Sequence, residues 1–470
     1  MSIKHKEIEI PHDRPFANCK LNRQQYASIL TNIINSYSDG FVLAINNKWG
    51  TGKTTFVRMW EQDLISKSYK TIYFNAWEND FEDNPLIALM GELKKITKEE
   101  TEPKFKKVLK NAAILSKHIA PLVVQAIAEK YVDTKNFKEA IGKVTEGVAN
   151  IFENEVDSYI EKKKGIIGFR KSLSEFLENY NEGRPLIFIV DELDRCRPNY
   201  AVSILEQIKH FFSVPNIVFI LSIDKQQLGN AVRGVYGSEQ IDSDEYLRRF
   251  IDVEYSIPEP SSNEFTEYLY DYFDFETFFN SENRQKSSEL RQDKRDFKVI
   301  SKILFSNNLI TLRQQEKIFA HSRLVLRTFP DNFYVIPTLF MFLIFVKVID
   351  ENFYNEIKSK RITIEELQFK FFNLIKFKNE RDSENELMWL EAYLILFYNN
   401  FINEDSYERN KIFERDDKGK KNLIVKSLID KPNNHYFAGI FDDIERTRAA
   451  SRLDINYFLR RIELIEEFVK

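Results

Sequence analysis

Residues 46–60 read NNKWGTGKTTFVRMW, and the residue types and spacing suit a cradle for phosphate. Backbone N–H groups of Trp49, Gly50, Thr51, Gly52 and Lys53 can curl around a β-phosphate, and a helix starting there adds its dipole. The Lys53 ammonium would reach the β and γ oxygens, and the Thr54 hydroxyl would ligate Mg²⁺. Lys48 and Thr55 complete the loop positions expected against a nucleotide. Asn47 stands where such a loop usually has its first Gly. Asn visits positive φ at small cost, so the loop is expected to keep its shape.

A second constellation lies at RPLIFIVDELDRCRP, residues 184–198. An apolar run ending in Asp191 and Glu192 needs a reason, because unpaired buried charge is costly. Mg²⁺ supplies one: Asp191 would hold the metal and Glu192 would orient and activate an attacking water. Solvated acids at an ordinary strand end are the competing reading, and the upstream loop reverses that preference. Two further polar residues, Asn75 and Asp224, end apolar runs beside the expected site. Each would either sense a γ-phosphate or hold the water, or else cap a helix or form a turn. The cofactors expected are ATP and Mg²⁺.

The elements that must position these residues alternate. Apolar strand-like runs at 41–46, 71–75, 186–191, 217–223 and 250–256 are interleaved with helical patterns at 52–66, 85–98, 199–212 and 225–235, the signature of a parallel sheet. The fold class is α/β: a three-layer core with a parallel sheet, a helical insertion between the loop and the acidic run, and a C-terminal all-α domain. The expected organisation is a lead-in helix over 1–40, a core over 41–100 and 165–258, a soluble helical insertion over 101–164, and a helical lid and C-terminal domain over 259–470. PEPSSNEF, residues 258–265, punctuates the last boundary. The polar stretch SENRQKSSELRQDKRD reads as a mobile loop, the basic cluster EKKKGIIGFRK at 161–171 as a solvated face, and the aromatic C-terminal helices as core.

Composition narrows the function classes. A net charge of -4 and a pI near 6.1 give no overall footprint for nucleic acid. Two Cys residues and six scattered His residues form neither a disulfide framework nor a zinc spacing, so a reducing cytosol and a cytoplasmic location are expected. The first residues, MSIKHKEIEIPHDRP, carry charge where a secretory signal needs an apolar core. The apolar runs at 333–346 and 388–402 are shorter than the roughly 18–20 residues of a membrane span, so they are read as buried helices with no transmembrane segment.

Together NKWGTGKTT, YFNAWENDFEDNP and FIVDELDRCRP resemble the KAP family of P-loop NTPases. LNRQQYASILTNII upstream and NIVFILSIDKQQLGNAV, YLRRFIDVEYSIPEP and LITLRQQEKIFAHSRLVLR downstream are similar to the same family, over residues 13–327. The resemblance implies an ATPase of the additional-strand, catalytic-glutamate class, related to AAA+ and STAND proteins, in a family whose prokaryotic members include phage-exclusion proteins. It places Arg23 in a nucleotide-contacting lead-in, with an exposed helix Arg as the alternative. Arg248 and Arg249 precede the last strand as arginine fingers do in AAA+ relatives, or else make surface salt bridges. Arg313 would be a lid sensor. Many members insert transmembrane helices where this chain is charged and amphipathic, which is why the insertion is expected to be soluble.

The expected function is therefore Mg-ATP hydrolysis that switches conformation, in a regulatory or sensor component of a bacterial antiphage defence or signalling assembly, with a protein partner or homo-oligomer. A nucleotide-gated scaffold with little hydrolysis and a nucleic-acid motor are the alternatives.

Overall fold

The structure, a computed structural model, describes residues 8–37, 40–128, 146–180, 183–306, 310–375, 381–403, 412–415, 421–429, 435–446 and 452–465. Parts of the expected lead-in (1–7), of the insertion (129–145) and of the C-terminal region lie outside the described residues. The chain divides into two compact units, the first running to Glu259 and the second starting at Pro260.

The first unit is built on a five-stranded parallel sheet. In chain order the strands are β1 (Val42–Asn46), β2 (Thr71–Asn75), β3 (Leu186–Asp191), β4 (Ile217–Ile223) and β5 (Val253–Tyr255), arranged β2-β3-β4-β1-β5. β4 thus lies between the strand that delivers the loop and the strand that delivers the acids. Asn46 pairs in register with Ile223, Ser222 with Asp191, and Asp191 with Asn75. The polar residues that terminate three strands, Asn46, Asp191 and Asn75, and Asp224 directly after β4 therefore lie along the C-terminal edge of the sheet, where open α/β sheets bind ligands.

β3 and β4 are buried along their whole length, as strands covered on both faces are, and alternate residues serve two cores. On one face Leu43, Ile45, Ile187, Ile189, Val218 and Ile220 pack with Leu30 and Ile34 of α1 (Gln24–Ser36) and Phe56 and Trp60 of α2 (Lys53–Ser66). On the other face Phe188, Val190, Phe219 and Leu221 meet Leu89, Phe105, Phe176 and Leu205 from four further helices. These are α3 (Pro85–Lys95), α4 (Glu102–Ala128), α5 (Glu146–Tyr180) and α6 (Pro198–His210). The expected three-layer α/β architecture is what the chain adopts. Local chemistry fixes the helix starts: the Asn84 side chain caps α3 ahead of Pro85, and Pro198 opens α6, where its missing N–H costs nothing. The insertion is joined to the core without a break, because α5 runs from the insertion into the core, where Phe169, Leu173, Phe176 and Leu177 are buried.

The second unit is mostly helical. A capping box between Ser261 and Glu264 starts its first helix, Ser262–Tyr272. Pro337–Ile349 is buried nearly all round, and among the described residues no helix is long and apolar enough to cross a membrane. Two corrections to the expected organisation follow. A short antiparallel pair, Phe413–Arg415 with Lys421–Leu423, interrupts the all-α C-terminal region. The polar stretch at 281–296 is not a loop: it forms a short helix, Glu282–Lys286, and the start of another at Asp293. Arg284 at its centre is fully buried, with its guanidinium on Asp293 and on the carbonyls of Asp331 and Phe333. A pair of complementary charges makes a polar sequence buriable, and composition does not register pairing.

Candidate functional site

The loop between β1 and α2 turns on two glycines, Gly50 and Gly52, both with φ 79°. Gly52 is also the N-cap of α2, and a Cβ there would meet Arg23 Nη1 at 3.0 Å, so space and backbone both call for glycine. Arg23, almost fully buried, donates from Nη1 to the Gly52 carbonyl (3.0 Å) and from Nη2 to the Thr51 carbonyl (2.8 Å). It therefore acts on the loop's own carbonyls. An exposed helix Arg does not describe it. With those carbonyls tied back, loop N–H groups other than that of Trp49 can serve an anion.

Asn47 departs from the expectation placed on it. It is not among the residues with positive φ; what the position uses is the amide. Nδ2 donates to the Ile257 carbonyl (2.8 Å) and Oδ1 accepts from the Ile257 N–H (2.9 Å). A glycine could not make this two-point clamp, which fixes the loop's entry to the chain just beyond β5.

Lys53 is buried at the first position of α2, and its ammonium sits on the carbonyls of Asn47 (2.5 Å) and Lys48 (3.3 Å). Burial pushes its pKa down, while Asp194, Asp224 and Asp191 pull it back up. Thr54 and Thr55 follow on the first turn, both half-buried. The Trp49 N–H, expected to face phosphate, donates to Asp224 Oδ2 (3.2 Å).

At the end of β3, Asp191 accepts from the Tyr73 hydroxyl at Oδ2 (2.7 Å) and from the Glu192 N–H at Oδ1 (2.9 Å). Its carboxylate and the Thr54 hydroxyl are hard oxygen donors of the kind Mg²⁺ takes alongside substrate phosphates. Among the described residues no group of three or more His, Cys, Asp or Glu could hold a metal unaided. Two such protein oxygens would suit a cation whose other positions a bound phosphate supplies. Glu192 occupies the left-handed region, φ 60°, at the start of a single helical turn, Leu193–Arg195. That conformation is costly for a side chain and is kept where surrounding structure enforces it. Its Oε1 pairs with Arg195 Nη1 (2.5 Å) and its Oε2 accepts from Asn75 Nδ2 (3.3 Å). Burial raises the Glu192 pKa and Asp191 and Asp194 add to the rise, against the pull of Arg195.

Asp194 is the residue the sequence did not single out. Nearly buried, it accepts at Oδ2 from both the Trp49 indole Nε1 (2.5 Å) and the Asp224 N–H (2.9 Å). It thereby joins the loop, the acidic turn and the end of β4 across an intervening strand. Burial raises its carboxyl, with Lys53 opposing. The only sign in the sequence is a second Asp three residues past Asp191. Tyr73, stacked under Arg58 with 3.3 Å from guanidinium carbon to ring centroid, was equally silent.

Both secondary candidates at the strand ends cap a turn or helix and also touch the site. Asn75 Oδ1 accepts from the Trp77 and Glu78 N–H groups while its Nδ2 meets Glu192. Asp224 caps the helix Lys225–Tyr236 through Oδ1 and holds the Trp49 N–H through Oδ2. Arg248 and Arg249 are not brought to this site. Arg248 is exposed and paired with Glu245 (3.1 Å). Arg249 lines a cavity of about 290 Å³ at the opposite edge of the sheet, beside Gly40, Val42 and Ile217. Arg313 is the second residue of the helix Leu312–Leu326 in the second unit.

The chain has relatives among known proteins. The chain is 23% identical over 277 residues to the phage T7 exclusion protein of Escherichia coli K12, covering 54% of this chain and 34% of that protein. It therefore spans about a third of that relative's length. It is 32% identical over 181 residues to an uncharacterized protein of Methanocaldococcus jannaschii, covering 32% of this chain and 88% of that protein. Among solved structures, the ORC2 protein of Aeropyrum pernix aligns over 90% of this chain and 94% of its own at 13% identity, with a TM-score of 0.30, too slight a likeness to argue from. A model of the KAP family P-loop domain matches residues 23–325, and on that match the chain belongs to the KAP family of P-loop NTPases.

Proposed function

We propose that the chain binds Mg-ATP at the loop and hydrolyses it, and that turnover switches its conformation. Lys53 and the loop N–H groups would bind the phosphates. Thr54 and Asp191 would hold Mg²⁺, which neutralises phosphate charge when bound. Glu192 Oε2, the oxygen not paired with Arg195, would take the proton of the attacking water. The observation that carries this reading is the Glu192 carboxylate itself: a side chain held at φ 60° between Asn75 and Arg195, beside Asp191. A protein that only bound nucleotide would not need a carboxylate kept at that backbone cost.

Arg249 lies at the far edge of the sheet from its own loop, which supports Arg248 and Arg249 serving the site of another copy. Similarity to a protein named for phage exclusion supports a regulatory or sensor role in a cytoplasmic antiphage or signalling assembly. A nucleotide-gated scaffold with little hydrolysis is the second reading, and the Arg195–Glu192 ion pair favours it, because a base tied to a cation turns over slowly until released.

The deciding experiment is phosphate release from Mg-ATP across a protein concentration series, wild type against Glu192→Gln. Hydrolysis predicts a loss of about 10²-fold or more in the variant, and a specific rate that climbs with concentration if the arginines act between copies. Equal release by both proteins would remove Glu192 as the base. No release by either, with ATP still bound, would favour the scaffold.

A further inference from the structure

Helix α5 of the insertion carries a face that the nucleotide site does not use. Successive helical residues turn by about 100°, so Gly165, Gly168, Phe169, Ser172 and Phe176 of α5 share one side. That side packs inward: a Cβ on Gly165 would sit 3.2 Å from Leu115 of α4, the Asn111 side chain donates to the Gly168 carbonyl (2.9 Å) and to Ser172 (3.1 Å), and the Phe105 and Phe176 rings lie 5.5 Å apart. On the opposite side Val156, Ile160, Lys163, Ile167 and Lys171 fall within an arc of about 80°. Val156, Ile160 and Ile167 are 40%, 41% and 61% exposed, and Tyr159 at the edge of the arc is 63% exposed. Lys163, Lys164 and Lys171 are exposed too. Asp157 and Glu161 fall outside the arc. A helix whose inner side is already packed thus presents a second apolar line to solvent, flanked by lysines and free of acids between 156 and 171.

We propose that this face docks an amphipathic helix of another protein, one whose apolar line is flanked by carboxylates. The placement of the lysines decides among occupants. Lys163 and Lys171 stand at the two edges of the arc and flank Val156, Ile160 and Ile167. An opposing helix can place a Glu against each of them, as facing helices do with charged residues flanking an apolar seam. A second copy of the same face would set lysine against lysine, and a nucleic-acid backbone would leave the isoleucines without a use. The line from Val156 to Lys171 is about 22 Å long at about 1.5 Å per residue, the reach of a partner helix of about four turns.

The test uses the full chain and two labelled synthetic helices of about three heptads with identical leucine seams, one with Glu and one with Lys beside the seam, followed by fluorescence anisotropy. The acidic helix is expected to bind at least tenfold more tightly than the basic one. Ile160→Ser/Ile167→Ser is expected to weaken the acidic helix about tenfold, and Lys163→Glu/Lys164→Glu to reverse the preference toward the basic helix, all with unchanged melting temperature. Equal binding of both helices, binding of neither, or an unchanged preference in Lys163→Glu/Lys164→Glu would overturn the proposal. So would flotation of the wild type, but not of Lys163→Glu/Lys164→Glu, with phosphatidylserine vesicles, which would assign the face to lipid.

Discussion

Lys53 and Arg284 are both buried cations, yet one faces several carboxylates at a sheet edge and the other faces one carboxylate inside a helical shell. Around Lys53 stand Asp194, Asp224 and Asp191, with Glu192 and Arg195 on the same turn. Arg284 is 0% exposed and is matched to Asp293, two backbone carbonyls and the Phe278 and Phe279 rings. In the helical pair one guanidinium meets one carboxylate directly, with Asp296 and Asp331 farther off. The sheet-edge cluster holds more carboxylates than cations, and its members bind the loop's own backbone groups where an anion would compete for them. Buried charge alone therefore does not mark a functional site. What marks it is charge left in excess, at strand ends, beside backbone N–H groups and a residue in the left-handed region.

A dispensable helical pair would erase the difference between the two regions. Arg284→Ala leaves Asp293 buried without its partner and is expected to cost about 3–5 kcal/mol, read from denaturant midpoints. A cost below about 1 kcal/mol would mean that the pair behaves as a surface salt bridge. A smaller effect sharpens the other side. Trp49→Phe keeps the ring and removes the donor to Asp194, so ATP affinity is expected to fall about tenfold, or about 1.4 kcal/mol, with little change in melting temperature. Unchanged affinity would reduce the Asp194 bond to packing. The smallest effect is in pH. Burial, Asp191 and Asp194 together raise Glu192 against Arg195. A base works only ionised, so phosphate release should fail on the acid side at a pH above the ordinary carboxylate value of 4.5. An acid limb at or below that value would contradict the assignment.

Elements whose logic is local were legible in the sequence. The strand, glycine turn and helix around Lys53 and the apolar run ending in Asp191 and Glu192 announce themselves within fifteen residues each. What escaped depends on distant partners. The Asn47 amide is matched to Ile257, 210 positions away, and the Trp49 indole to Asp194, 145 positions away. The choice of Asn over Gly therefore looked like a backbone allowance when it is a side-chain clamp. Arg23 could be placed near the nucleotide only through family resemblance, and its role in holding loop carbonyls appears only once α1 is packed beside α2. At 281–296 polar composition concealed a buried pair, because charge content does not say which charges meet.

The cluster at the C-terminal edge of the sheet is proposed as a nucleotide site. Calorimetric titration of the full chain with ATP and Mg²⁺, wild type against Lys53→Ala, tests it most directly. A nucleotide site there predicts one ATP bound per chain, with affinity falling by about 10²-fold when the charged hydrogen bonds of Lys53 are lost, and a melting temperature close to wild type. Equal binding by both proteins, or no binding by the wild type, would contradict it.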